Sequence, residues 1–115
     1  MYIKGDKDSL FQIFNNIIEN AIKYNVVNGK IEVESSADQE KLTIAIRDSG
    51  VGISDKDLPY IFERFYRADK SRNSSNQGTG IGLAVVKELM DAHQGKIVVE
   101  NEAGGTVFKL IFPAA

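Results

Sequence analysis

The chain has 115 residues, 43% of them apolar and 26% charged, with a formal net charge of −2 and no cysteine. That is the size of one domain, large enough to bury a core without disulfides or a thiolate metal site. The charge gives no basic field for nucleic acid or lipid, no apolar run approaches a membrane span, and residues 1–7 lack the apolar stretch of a secretion signal.

Residues 1–4 read as a short edge strand. Asp6 can cap a helix, with Asp8 adding negative charge to its first turn. The helix is predicted over residues 7–24, with Leu10, Phe14, Ile17, Ile18, Ala21 and Ile22 near a 3.6-residue period. Asn25 and the Asn28-Gly29 pair end it. Ile31 and Val33 alternate with Glu32 and Glu34, and Leu42, Ile44 and Ile46 alternate with Thr43, Ala45 and Arg47. Two half-buried strands in an antiparallel hairpin follow from that alternation. Gly50 and Gly52 break the pattern, and Ser54 with Asp57 forms a capping box for a short helix that continues through residues 61–66. Residues 67–80 are polar and rich in Ser, Asn and Gly, which predicts a long mobile loop with a functional reason to exist. A further helix spans residues 81–92, with Val85, Val86, Leu89 and Met90 on its buried side and Gly95 closing it. Strands at 97–99 and 106–112, joined around Gly104-Gly105, complete a single domain over residues 1–115. Helices interspersed with hairpins point to a two-layer α/β sandwich, not a doubly wound fold.

Three groups of residues carry candidate chemistry. On the first helix Asn15, Asn16, Glu19, Asn20 and Lys23 lie on the side opposite its apolar face. Asn16, Asn20 and Lys23 stand at i, i+4 and i+7, so two carboxamide oxygens can meet a hard cation while the lysine reaches a phosphate. The plainer reading is a solvated face. Asp48 keeps the parity of Ile44 and Ile46, so it faces the helical layer and needs a donor such as the exocyclic amine of adenine. Gly50 and Gly52 let backbone approach a flat ring, although an aspartate opening a turn is also common. Gly78-Thr79-Gly80-Ile81-Gly82-Leu83 leads into a helix start, where free backbone donors suit an anion; a glycine hinge is the alternative. The spacing is neither that of a P-loop nor of a dinucleotide fingerprint. Arg64, Arg67, Lys70 and Arg72 precede this cluster. The only histidine, His93, falls at a helix end, where it suits capping or packing.

Together these segments resemble the catalytic ATP-binding domain of sensor histidine kinases, whose wider relatives are the gyrase, Hsp90 and MutL ATPases. Residues 15–24 match the family's N box, 48–53 its G1 box, 61–65 its F box and 78–84 its G2 box, in family order, and Gly104 to Phe108 fits its end. The resemblance implies a Bergerat-type α/β sandwich: a mixed, mostly antiparallel sheet, about three helices, and residues 67–80 as an ATP lid. It implies that Asn16 and Asn20 surround Mg²⁺ and that Lys23 meets a phosphate, with Asn16 and Lys23 assisting transfer. Tyr24 would pack near adenine and Asp48 would recognise its amine. Gly50, Gly52 and Ile53 would shape the base pocket, and Arg64, Gly78, Thr79, Gly80, Gly82, Leu83 and Thr106 would complete the nucleotide contacts. The implied partners are a histidine-bearing dimerisation domain of the parent kinase and a response regulator receiver domain. The implied setting is the cytoplasmic side of a membrane-anchored parent, with this chain itself neither inserting into the membrane nor binding nucleic acid. Asn16 stands where gyrase-like ATPases carry a catalytic glutamate, which argues against strong hydrolysis. Upstream, the family usually carries another strand and its histidine-bearing helices.

Overall fold

The computed structural model describes residues 3–23, 25–63, 82–102 and 104–115. Its elements are α1 (Lys7–Lys23), β1 (Ile31–Ala37), β2 (Lys41–Asp48), a 3₁₀ turn at Leu58–Tyr60, α2 (Gly82–Ala92), β3 (Lys96–Glu102) and β4 (Gly105–Pro113). The sheet runs β1-β2-β4-β3, and all pairings among these strands are antiparallel. The β1–β2 hairpin turns at Asp38, whose Oδ1 accepts the N–H of Glu40 at 2.8 Å and of Lys41 at 2.9 Å. Those two backbone donors hold the Asp38 carboxyl below its ordinary pKa.

The register turns strand alternation into two different surfaces. Val33, Ile46, Phe108 and Val99 form one transverse row, and Ser35, Ile44, Leu110 and Ile97 the next. This face carries both helices. Ile13 and Ile17 of α1, Val86 and Met90 of α2, and Ile46, Phe108, Leu110 and Phe112 of the sheet make one core cluster. Each such side chain stabilises the fold by roughly 1.5–3 kcal/mol on burial. The other face carries ions. Arg47 bridges Glu34 at 2.6 Å and Glu102 at 3.1 Å, and Lys109 meets Glu100 at 3.2 Å. This is the expected two-layer sandwich.

Several local expectations change. Residues 3–6 are not strand. The capping pair is present, with Ser54 Oγ donating to Asp57 Oδ2 at 2.7 Å, but it opens only a three-residue 3₁₀ turn with Pro59 at its start. No helix continues through residues 61–63, and 64–66 lie outside the described residues. On α1 the buried line is Ile13, Ile17 and Ala21. Ile18 and Ile22, expected in the core, are 36% and 62% exposed. At about 100° per residue they sit well around the helix from Ile17. On α2 the buried residues are Ala84, Val86 and Met90, with Val85 and Leu89 only half-buried.

The end of α2 ties the layer together. The N–H of Gly95 donates to Met90 O at 2.8 Å and that of Gln94 to Asp91 O at 3.0 Å, the paired bonds of a Schellman cap. The left-handed residue is Gln94, at φ 60°, not Gly95. His93 Nδ1 lies 2.8 Å from Leu89 O, and the N–H of Asp6 donates to His93 Nε2 at 3.1 Å. These partners require a neutral ring protonated on Nδ1. Asp6 in turn caps α1 by accepting the Ser9 N–H at 2.9 Å, and that bond, with the Ser9 hydroxyl, lowers its pKa.

These contacts set two expectations for stability. A Cβ on Gly105 would fall 1.8 Å from the carbonyl oxygen of Asp48, whereas one on Gly104 meets nothing within 4 Å. Urea unfolding should therefore show a loss of at least about 3 kcal/mol for Gly105→Ala and about 1 kcal/mol for Gly104→Ala, whose cost is backbone conformation alone. Comparable losses for the two would contradict the close approach. For Asp6, a lowered folded pKa means its contribution is present above the ordinary value of 3.8 and is lost as pH falls through the folded value. Asp6→Asn should show a flatter decline of unfolding midpoint below that pH than the wild type.

Candidate functional site

At one end of the sheet the helix-facing row, apart from Ile31 on β1, is polar. Asp48, the last residue of β2, is the Cα partner of Thr106 on β4, and Thr106 is the partner of Asn101 on β3. Thr106 is buried, at 4% exposure. Asp48 Oδ1 accepts the N–H of Gly50 at 2.8 Å, which leaves Oδ2 for a second donor. Gly105 makes this corner possible, because its missing side chain lets β4 start directly against the Asp48 carbonyl.

Short polar bonds hold the glycine loop that follows Asp48. Ser49 Oγ accepts the N–H of Lys30 at 2.7 Å and lies 3.0 Å from Asn25 Oδ1. Asn25 Nδ2 also donates to Lys30 O at 3.0 Å. The loop is thereby fastened to the turn after α1. At its far end Ile53 N–H donates to Asn101 Oδ1 at 2.9 Å, and Asn101 Nδ2 donates to Ile53 O. Gly52 adopts φ 78°, and a Cβ there would lie 3.3 Å from Asn101 Oδ1.

The amide stripe of α1 borders this corner. Asn16 and Asn20 are half-buried and Lys23 is exposed. The stripe flanks the buried line of α1 and does not oppose it, since a four-residue step keeps it beside Ile13, Ile17 and Ala21. At one end Asn25 reaches Ser49, next to Asp48. At the other, a Cβ on Gly82 would lie 3.7 Å from Asn16 Oδ1, so α2 begins beside Asn16. From Asn16 to Lys23, the last residue of α1, the helix axis advances about 10 Å. The polar wall thus runs from the carboxylate corner to the start of α2. Leu83 is half-buried and packs on the core.

The amide oxygens of Asn16 and Asn20 are neutral donors, suited to a hard cation whose charge is balanced by phosphate. Among the described residues no cluster of three or more His, Asp or Glu forms a cage for a metal ion. Glu19 is exposed, with Asn15 Nδ2 donating to its Oε1 at 3.3 Å. His93 lies at the opposite end of α2 from Gly82, engaged in the cap described above. Tyr24, Arg64, Gly78, Thr79 and Gly80, the basic residues Arg67, Lys70 and Arg72, and the proposed lid over 67–80 lie outside the described residues. Three residues of the site escape a reading of the sequence: Asn25 and Ser49, which look like ordinary turn residues, and Asn101. The parity of Ile97 and Val99 extends to Asn101, but the apolar alternation that predicts the strand ends at residue 99.

Comparison with known proteins adds an independent line. The model of the family described as histidine kinase-, DNA gyrase B- and HSP90-like ATPase matches residues 5–115. The chain is 39% identical over 116 residues to the sensor histidine kinase WalK of Bacillus subtilis, covering 98% of this chain and 19% of WalK. The mycobacterial sensor histidine kinase MprB superposes with a TM-score of 0.85 at 29% identity, covering 96% of this chain and 76% of that one. Full-length ShkA, solved in complex with AMPPNP, superposes at 0.77 with 31% identity over 93% of this chain and 22% of its own. The chain spans between about a fifth and three tenths of the length of the first curated relatives it matches.

Ser49 gives the test of this architecture. Ser49→Ala removes an acceptor from the Lys30 N–H and a partner from Asn25, and should cost about 1–2 kcal/mol in urea unfolding. Retention of full stability would mean that the loop is not fastened through this hydroxyl.

Proposed function

Because this chain belongs to the histidine kinase-, DNA gyrase B- and HSP90-like ATPase family, we propose that it binds Mg²⁺·ATP and donates the γ-phosphoryl group to a histidine on a separate dimerisation domain. A response regulator receiver domain would take the phosphoryl group next. The observation that carries the nucleotide reading is the Asp48 corner. One carboxylate oxygen is held by Gly50, the other can accept an amine, and the Gly52–Ile53 backbone is pinned alongside. A purine amino group satisfies such a carboxylate, and a flat ring suits a glycine-walled loop.

From that corner the polar wall of α1 leads toward the start of α2, and in this reading the phosphates would lie along Asn20 and Asn16. Mg²⁺, when bound, neutralises phosphate charge and orients the transferable group. In this chain Asn16 and Asn20 would hold it, Lys23 would stabilise phosphate charge, and the α2 start near Gly82 would offer backbone donors. Tyr24, Arg64, Gly78, Thr79, Gly80 and Thr106 would complete the contacts, with residues 67–80 closing over the nucleotide. The chain would work on the cytoplasmic side of a membrane-anchored parent. A gyrase-like hydrolase is disfavoured, because Asn16 offers no base and the Glu19 carboxylate is exposed and engaged by Asn15.

Calorimetry with ADP or a nonhydrolysable ATP analogue tests the base and metal roles. Asp48→Ala should weaken binding by about 1.5–3 kcal/mol, the worth of a hydrogen bond to a charged group. Asn20→Ala should abolish the part of ATP affinity that Mg²⁺ adds. Equal affinity of the wild type for ATP and GTP would sink the adenine assignment, and indifference to EDTA would sink the metal one.

Phosphoryl transfer has its own test. His93 lies eleven residues beyond Gly82, roughly 16 Å along α2, too far for direct transfer, which needs reacting atoms about 3–3.5 Å apart. With γ-labelled ATP the chain alone should remain unlabelled, and label should appear on an added histidine-bearing domain. Acid-labile label on the chain itself, lost in His93→Ala, would overturn the scheme.

A further inference from the structure

We propose that Asn101, which lies outside every segment assigned to the site from sequence, is a positioning residue: its side chain sets the geometry of the base-binding loop, and through it nucleotide affinity and base preference. The inference rests on the adenine-nucleotide reading above. Asn101 makes with Ile53 the pair of bonds that a neighbouring strand would make, accepting the Ile53 N–H on Oδ1 and donating from Nδ2 to the Ile53 carbonyl. Only a carboxamide of this length offers a donor and an acceptor side by side. Aspartate lacks the donor, and serine presents a single short hydroxyl.

The loop needs such an anchor. Residues 49–54 have no helix or strand of their own, and Val51 is 78% exposed. The near end is held by Gly50 on Asp48. Asn101 holds the far end. Both anchors stand in one transverse row of the sheet, Asp48–Thr106–Asn101, on three adjacent strands. Two strand spacings separate them, about 9–10 Å. The sheet therefore fixes the distance between the carboxylate and the Gly52–Ile53 backbone, and a flat base enters a frame of set width. Gly52 is part of the same device: its φ of 78° suits glycine, and a Cβ there would press on Asn101 Oδ1 at 3.3 Å.

The Asn101 bonds are exposed to solvent, so water competes for them and the anchored loop is in equilibrium with a released one. Ligand that needs the anchored loop binds with an affinity reduced by the fraction released. Loss of the anchor should then weaken ADP binding about three- to tenfold. It should also narrow the preference for adenine over guanine nucleotides, because a slack frame discriminates less.

The experiment compares wild type, Asn101→Ala and Asn101→Asp well below their thermal midpoints. Amide hydrogen exchange at Ile53 without nucleotide reads the anchor directly, and calorimetry with ADP and GDP reads its consequence. Faster Ile53 exchange, weaker ADP binding and a smaller ADP-to-GDP ratio are expected in both variants. In an Asp48→Ala background, Asn101→Ala should change ADP affinity far less than it does alone, since both act through one frame. Unchanged ADP affinity and base preference alongside faster exchange would reduce Asn101 to a structural staple and overturn the proposal. Unchanged exchange would overturn it too. If the wild type binds no adenine nucleotide at all, the function reading fails and this role with it, an outcome marked by absent binding while the exchange difference persists.

Discussion

The closest approach on which the site depends is that of Gly105 to the carbonyl of Asp48. Any side chain at residue 105 would fall inside the van der Waals surface of that oxygen. Only with that contact does β4 begin level with the last residue of β2, and only then does Thr106 lie opposite Asp48. The rest of the sheet is then set by counting: Phe108 on Ile46, Leu110 on Ile44, Phe112 on Leu42. A slip of one residue would send every one of these side chains to the opposite face. The register that buries the core is therefore the register that aims the carboxylate at the helical layer. Core and site are specified by one alignment of two strands.

The first helix divides its circumference three ways. Ile13, Ile17 and Ala21 fasten it to the sheet. The flank with Asn16, Asn20 and Lys23 meets the start of α2 at Asn16, and the other flank leaves Phe11 and Ile22 mostly in solvent. A helix that needed only to pack would carry fewer asparagines, which cost helix propensity by competing for the backbone. The destabilisation is offset elsewhere by the Asp6 cap and by His93, which joins the end of α2 to the beginning of α1. The lone histidine thus does structural duty, neutral and with both ring nitrogens occupied, at the far end of α2 from the site.

Alternation and helical period are enough to read the two hairpins, both long helices and the parity of Asp48 from sequence. The Asp48–Gly52 loop and the amide stripe mark the candidate site because their residue types are poor choices for packing. Other features are not legible, for physical reasons. Ile13 is overlooked and Ile18 misplaced because adjacent isoleucines fit the 3.6 period almost equally, and only the sheet beneath decides between them. Gln94 takes the left-handed position expected of Gly95 because the Schellman bonds fix which residue that is, whatever its side chain. The short helix expected after Ser54 shrinks to a 3₁₀ turn, although its Ser54–Asp57 pair forms. Asn101 and Ser49 carry no local signature at all. Their roles come from partners 48 and 19 residues away, a separation no local pattern reports.

The amide at residue 16 bears on which phosphoryl acceptor the site can serve. Hydrolysis needs a water molecule turned into a nucleophile, and a carboxylate base near the phosphate is the usual means. Under the proposed function that position would hold the neutral carboxamide of Asn16, which can orient and ligate but cannot take a proton. The nearest carboxylate on the same helix, Glu19, is exposed and hydrogen-bonded to Asn15. An imidazole acceptor removes the need for a base, because with an ordinary pKa of about 6.5 it is largely neutral at physiological pH and already carries its lone pair. Under the proposed function the chain's task is then confined to holding the nucleotide, offsetting charge and exposing one phosphorus atom. Those are tasks for aligned amides, a lysine and a rigid loop. The short polar fastenings around residues 25, 48, 49, 53 and 101 are concentrated where such rigidity has to be supplied.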